Sequence, residues 1–200
     1  KDIVVAQTGT KLKNIGHMVI APDGKITAEL VPVAAGVAPY SGAIAKKVAA
    51  LQEEVDEVSK KVVAKTEVDL TTLDPLTGKR AVRSAETNLG DLWTDALRWF
   101  AVSGNIHAAF DEDDVANGID HIAVDADHIV ALWNGGNLRA DIAEGKFGAA
   151  ELAEVLPFPN KVAVVYMTGA QLAEALEAAS QALPYTEESA DACASFMQVS

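Results

Sequence analysis

The sequence predicts an α/β or α+β chain, and three observations carry that reading. β-Branched runs such as Ile26-Thr27-Ala28-Glu29-Leu30-Val31 and Ile129-Val130-Ala131-Leu132-Trp133 are bounded by Gly, Pro, Asn and Asp, the residues that close strands. Ile44, Val48, Leu51, Val55 and Val58 recur at helical spacing between charged residues. Beyond residue 62, strand-like and helix-like segments alternate, as in a layered mixed domain.

Taken in order, Lys1-Asp2-Ile3-Val4-Val5-Ala6-Gln7, residues 15–20 and residues 26–33 are three strand candidates joined by Gly-bearing turns, one of them Pro22-Asp23-Gly24. Three strands in so short a stretch make no independent domain. Residues 34–40 are rich in Ala, Gly and Pro, Ser41 can act as a helix cap, and one amphipathic helix is expected over residues 43–61. Strand character restarts at residues 62–70, and residues 71–79 form a loop. Asn88 can cap a helix carrying Leu89, Leu92, Trp93, Ala96, Leu97 and Phe100. Residues 103–128 are polar and acid-rich, and the strand at 129–133 ends at Asn134-Gly135-Gly136-Asn137. A helix over 148–155, a strand over 161–167 and a helix over 169–181 complete the pattern.

Composition bounds the function. Two hundred residues that are 50% hydrophobic and 22% charged make an ordinary globular chain, not a disordered one. The net charge of -13 disfavours nucleic-acid backbones and anionic lipid, because Lys46-Lys47 and Lys60-Lys61 sit among glutamates. No apolar run reaches the length of a membrane span, so no membrane insertion is expected. Cys193 has neither a basic neighbour nor a second cysteine, and it reads as a buried or incidental thiol.

Three local arrangements could carry chemistry. In Asn134-Gly135-Gly136-Asn137-Leu138-Arg139 the two glycines let backbone approach a ligand, with an amide and a guanidinium fork on either side. That is a small-anion or nucleotide loop, or else a tight turn with a surface arginine. Arg83 precedes a helix N-terminus, where it can help hold an anion or simply pair with Glu86. Phe158, between Pro157 and Pro159, is a stacking platform or a core plug. His17, His107, His121 and His128 form no metal-ligand spacing, and His121 with Asp125 and Asp127 is the nearest approach. Asp111-Glu112-Asp113-Asp114 departs from a calcium loop at Val115 and Ala116 and reads as a solvated acidic loop.

Three motifs occur in order: Arg83-Ser84-Ala85-Glu86-Thr87-Asn88-Leu89-Gly90-Asp91-Leu92, Asn134 to Arg139, and Val155-Leu156-Pro157-Phe158-Pro159-Asn160 with Met167-Thr168-Gly169 after it. Together with Phe196-Met197-Gln198-Val199-Ser200, they resemble the C-terminal substrate-binding domain of the 5'-nucleotidase family, which includes UDP-sugar hydrolases and 2',3'-cyclic phosphodiesterases. The resemblance implies a mixed-sheet α-β-β-α domain over 63–200, a linker and connector helix over 34–62, and the last strands of a metallophosphoesterase domain over 1–33. It implies Arg83 and Arg139 on the phosphate side of a substrate, Asn134 with Gly135 and Gly136 at the nucleobase, and Phe158 as one ring of an aromatic sandwich. It also implies two divalent metal ions in the parent enzyme, with ligands upstream of residue 1 and none bound by this chain. A second stacking aromatic is expected after residue 200, and the parent enzyme is expected to be secreted, periplasmic or at the cell envelope.

Partners expected on the same basis are a nucleotide or nucleoside and the N-terminal metallophosphoesterase domain. The chain alone is then inert. A noncatalytic nucleotide-binding module is the alternative, as is a parent that cleaves cyclic phosphates or UDP-sugars. Two departures from the family pattern are Asn137, where a third glycine is usual, and the length and acidity of residues 103–128.

Overall fold

The computed structural model describes residues 3–9, 12–34, 42–110, 112–119, 121–181, 183 and 196–200. Cys193, Ser41 and Asp111 lie outside them. The chain divides into two compact units, residues 1–52 and residues 53–200.

In the first unit, β1 (Asn14–Ile20) and β2 (Ile26–Pro32) form an antiparallel hairpin with His17 opposite Glu29. Its turn closes through the Gly24 amide on the Ala21 carbonyl at 2.8 Å, and Gly24 takes φ 83°, which an L side chain resists. The imidazole Nδ1 of His17 lies 2.9 Å from Glu29 Oε1 across the strands. Residues 3–9 pair with no described strand, contrary to the expected third strand, and Thr8 meets β1 through the Asn14 side chain, whose Nδ2 donates to the Thr8 carbonyl at 3.3 Å. Helix α1 (Gly42–Ser59) follows the apolar spacing and runs across the boundary between the units.

The second unit contains β3 (Val62–Thr66), α2 (Asn88–Val102), α3 (Glu112–Ala116), β4 (Leu132–Asn134), β5 (Gly145–Gly148), α4 (Ala149–Val155), α5 (Gly169–Ser180) and β6 (Met197–Val199). Short 3-10 turns occupy Asn105–Ala109 and Gly135–Asn137. β3 pairs with β5, and β4 with β6, both antiparallel. Helices mixed with small antiparallel sheets give the α/β class that the alternating pattern predicts.

The helix ends follow side-chain chemistry. Thr168 and Gln171 exchange bonds at the start of α5, the Thr168 amide donating to Gln171 Oε1 at 2.8 Å and the Gln171 amide to Thr168 Oγ1 at 3.3 Å. For α2 the cap is Thr87, whose hydroxyl accepts from the Gly90 amide at 3.2 Å, and not Asn88. Asn88 instead accepts from the Thr71 amide at 2.8 Å and donates to the Asp69 carbonyl at 2.8 Å, bracing the preceding loop. Residues 112–116 are helical where a loop is expected, because three carboxylates in a first turn complement the positive end of the helix dipole. Residues 161–167 have strand composition but pair with no described strand.

The core gathers Val82, Leu138, Ile142, Val155, Leu89 and Leu70, with Trp93 and Trp133 packed against it. Leu70 and Ile142 exchange backbone bonds of 2.8 and 2.9 Å. Each such side chain, fully buried, contributes about 1.5–3 kcal/mol. The residues on either side of the Gly-Gly loop, Trp133 and Leu138, are therefore core residues, and the loop between them is fixed at both ends.

Candidate functional site

The loop hangs from β4, whose three residues pair with β6 as Leu132 with Val199, Trp133 with Gln198 and Asn134 with Met197. The Gly135 amide donates to the Phe196 carbonyl at 3.0 Å, so the pairing continues one residue into the turn. Asn134 Oδ1 accepts from the Gly136 amide at 2.8 Å, a side-chain turn that short polar residues make readily. This leaves the Asn134 Nδ2 group with no acceptor among the described residues. The chain leaves the turn with the Leu138 amide on the Gly135 carbonyl at 3.2 Å and the Arg139 amide on the Val155 carbonyl at 2.9 Å.

Gly135 is glycine because of its neighbour. A Cβ there would lie 1.8 Å from the Val82 carbonyl oxygen. That contact sets the turn carrying half-buried Arg83 against the Asn134 loop. The turn closes through the Ser84 and Ala85 amides, both on the Ala81 carbonyl, at 2.7 and 2.8 Å. Gln198, 1% exposed, locks it in place: its Nε2 donates to the carbonyls of Val82 at 3.0 Å and Ala85 at 2.8 Å. Its Oε1 accepts from the Thr87 amide at 3.0 Å and the Thr87 hydroxyl at 3.2 Å. The two sequence segments that hold Arg83 and Asn134 thus meet through one glycine and one buried amide.

Arg139 and Phe158 also meet. The guanidinium carbon stands 5.3 Å from the ring centroid, within cation–π range. Phe158 sits in a tight turn in which the Asn160 amide donates to the Phe158 carbonyl at 2.8 Å, with Pro159 between them fixing the backbone. At 44% exposed, the ring is a surface platform and not a core plug. The Arg139 guanidinium donates to no described residue, so its N–H fork is available to a solvent-side anion. The cluster therefore offers one stacking surface, one amide donor and one cationic fork.

The start of α2 carries an electrostatic cost. Desolvation first, then the charges of Glu86 and Asp95, push the Asp91 carboxyl above the usual carboxylate range. Its Oδ1 is buried and accepts no hydrogen bond among the described residues. A folded pKa above the unfolded one means that stability present at low pH is lost as the group ionises. Asp91→Asn is expected to raise the thermal midpoint at neutral pH, with the gain shrinking as the pH falls through the carboxylate range. A midpoint that drops at neutral pH would contradict this origin for the shift.

Other sequence candidates lie elsewhere. His107 stacks on His121 at 4.7 Å, and His128 Nδ1 pairs with Asp125 Oδ2 at 2.6 Å, so the nearest approach to a metal spacing, His121 with Asp125 and Asp127, is not gathered into one group among the described residues. The acidic segment is tied to the C-terminal half of α2, Arg98 donating to the Ala126 carbonyl at 2.6 Å, whereas the Asn134 loop sits by the helix N-terminus through Gln198 and Thr87. Sequence reasoning missed a cavity of about 350 Å³ lined by Trp93, Trp99, Phe100, Trp133, Asn160 and Val162. Trp133 and Asn134 point to opposite faces of β4, and none of the six predicted substrate-side residues lines that cavity. Among the described residues, no helix is long and apolar enough to cross a membrane.

The family described as "5'-nucleotidase, C-terminal domain" matches residues 62–200. The chain belongs to this family. The trifunctional nucleotide phosphoesterase protein YfkN of Bacillus subtilis is 31% identical over 127 residues, 63% of this chain and 7% of that protein. The cell wall protein Lmo0130 of Listeria monocytogenes is 28% identical over 177 residues, 84% of this chain and 19% of that protein. The crystal structure of the 5'-nucleotidase precursor from Thermus thermophilus matches with a TM-score of 0.54 and 26% identity over 94% of this chain and 32% of that one. The chain thus spans a small part of each relative. Arg83, Asn134, Gly135, Gly136, Arg139 and Phe158 all lie within the matched residues 62–200.

Proposed function

We propose that this domain recognises the nucleotide for a metal-dependent phosphoester hydrolase of the 5'-nucleotidase type, and that the 200-residue chain alone is inert. The observation that carries the reading is the placement of the Arg139 guanidinium 5.3 Å from the exposed Phe158 ring, beside the Asn134 loop. An aromatic face takes a nucleobase by stacking, and a planar guanidinium takes phosphate oxygens through paired N–H donors. Arg83 adds a second cation on the side of the loop fixed by Gly135 and Val82. Asn134 Nδ2 donates to a base acceptor while its Oδ1 stays committed to Gly136.

The described residues offer no group of three His, Cys, Asp or Glu side chains that could hold a metal ion. We therefore derive no step through the metal ions here. They belong to the metallophosphoesterase domain that we propose as this domain's partner within the parent chain. Placement of the parent enzyme outside the cytoplasm, at the cell envelope, draws support from the Listeria relative named a cell wall protein.

Calorimetric titration of the 200-residue chain with AMP tests the reading. Heat of binding is expected, with Phe158→Ala weakening binding by about 1–3 kcal/mol, the usual worth of a base–aromatic stack. Arg139→Ala should weaken AMP binding more than adenosine binding, since adenosine lacks the phosphate. Incubation with AMP and manganese ions should release no phosphate. Binding untouched by both substitutions would overturn the assigned site, and phosphate release by the purified chain would overturn inertness.

A further inference from the structure

Helix α1 presents an apolar stripe with no residue buried: Val48 is 58% exposed, Leu51 60%, Val55 53% and Val58 53%. With Ile44 the spacing alternates four and three residues, the a and d pattern of a two-stranded coiled coil, continued over the helix. A stripe of this kind on an otherwise charged helix calls for a partner.

The charges identify it. The first half of α1 carries Lys46 and Lys47, and the second half carries Glu53, Glu54, Asp56 and Glu57. A parallel pair would set Lys47 beside Gln52 of the partner subunit and Glu54 beside Ser59 of the partner subunit, with no charge paired, and an antiparallel pair sets opposite halves together. Lys47 and Glu54, seven residues apart, occupy the same heptad position flanking the seam, and neither is in an ion pair with a described residue. Stacking Val48 on Leu51 of the partner subunit brings Lys47 to Glu54 of the partner subunit, twice by symmetry. The register one heptad along would set Glu54 against Glu54 of the partner subunit, so charge selects the first.

We propose that α1 is the seam of an antiparallel, two-fold symmetric dimer between two copies of this chain. The same patch serves both copies, as a closed two-fold interface requires. So short a seam belongs to the small interfaces, below about 1,200 Å², and gives an association of roughly micromolar strength or weaker.

Sedimentation equilibrium of the full chain from low micromolar to about millimolar concentration tests this. A concentration-dependent dimer is expected, and Leu51→Asp should abolish it while leaving circular dichroism and, at concentrations where the chain is monomeric, the melting midpoint unchanged, since Leu51 is a surface residue. Lys47→Glu and Glu54→Lys should each weaken association roughly tenfold, and the two together should restore it, because both copies then carry the swapped pair. Restoration by a double change within one chain is expected of a second copy and of no other occupant. A monomer throughout the range would overturn the proposal, and slow amide exchange in α1 would then show the stripe covered within the chain. A dimer indifferent to Leu51→Asp, or one the double variant fails to restore, would overturn it equally.

Discussion

Gly135→Ala should destabilise the second unit by roughly 3 kcal/mol or more and abolish AMP binding under conditions where the parent chain binds. The added methyl would stand 1.8 Å from the Val82 carbonyl oxygen and 2.9 Å from its carbon, with the Phe196 oxygen at 3.4 Å. Two of these are contacts no rotamer can relieve, because the obstruction is backbone. Relief needs the 81–85 turn to move off β4, or β4 to bend and lose the Gly135 to Phe196 bond. Either movement carries Arg83 away from Asn134. Gly169→Ala is the control: nothing lies within 4 Å of a Cβ there, and alanine in the first turn of α5 should be neutral or stabilising. Denaturant unfolding of both variants decides the matter. A cost below about 1 kcal/mol for Gly135→Ala would mean that the turn and the loop are not tightly coupled.

What was legible in the sequence is what short-range chemistry determines. The periodic apolar residues of α1 and the Pro22-Asp23-Gly24 turn each specify their own element locally. β5 was not legible, because Gly145-Lys146-Phe147-Gly148 has no β-branched residue and is a strand only through the edge that β3 offers. Residues 161–167 mislead in the opposite way, since they have strand composition but pair with no described strand. Asn88 is a better cap than Thr87 by propensity, yet the loop at 69–71 claims its side chain. At the site, the Asn134 turn was visible as residues, and the motif order suggested that Arg83 belongs with it. The reasons they meet, a Val82 oxygen against Gly135 and a buried amide at Gln198, are long-range contacts that no local pattern encodes.

Gln198→Leu should cost about 3–5 kcal/mol although it preserves volume and removes no charge. Gln198 is 1% exposed and satisfies the carbonyls of Val82 and Ala85 together with the amide and hydroxyl of Thr87. A leucine leaves these groups buried without partners, each such loss costing about 1–3 kcal/mol, less than additively where neighbours relax together. The Thr87 cap of α2 and the Arg83 turn lose their common anchor, so AMP affinity should fall even where the fold persists. Gly90 fits the same account, since a Cβ there would lie 2.0 Å from Gln198 Oε1. Gln198→Glu separates hydrogen bonding from packing. The carboxylate keeps an acceptor for Thr87 but sets an oxygen against the Val82 and Ala85 carbonyls. Burial then raises its folded pKa above the unfolded value, so the stability of this variant should fall as the pH rises through that range and return on acidification. Leucine tolerated within about 1 kcal/mol, or a glutamate variant whose stability ignores pH, would show that Gln198 fills space there and does not join the turn to the loop.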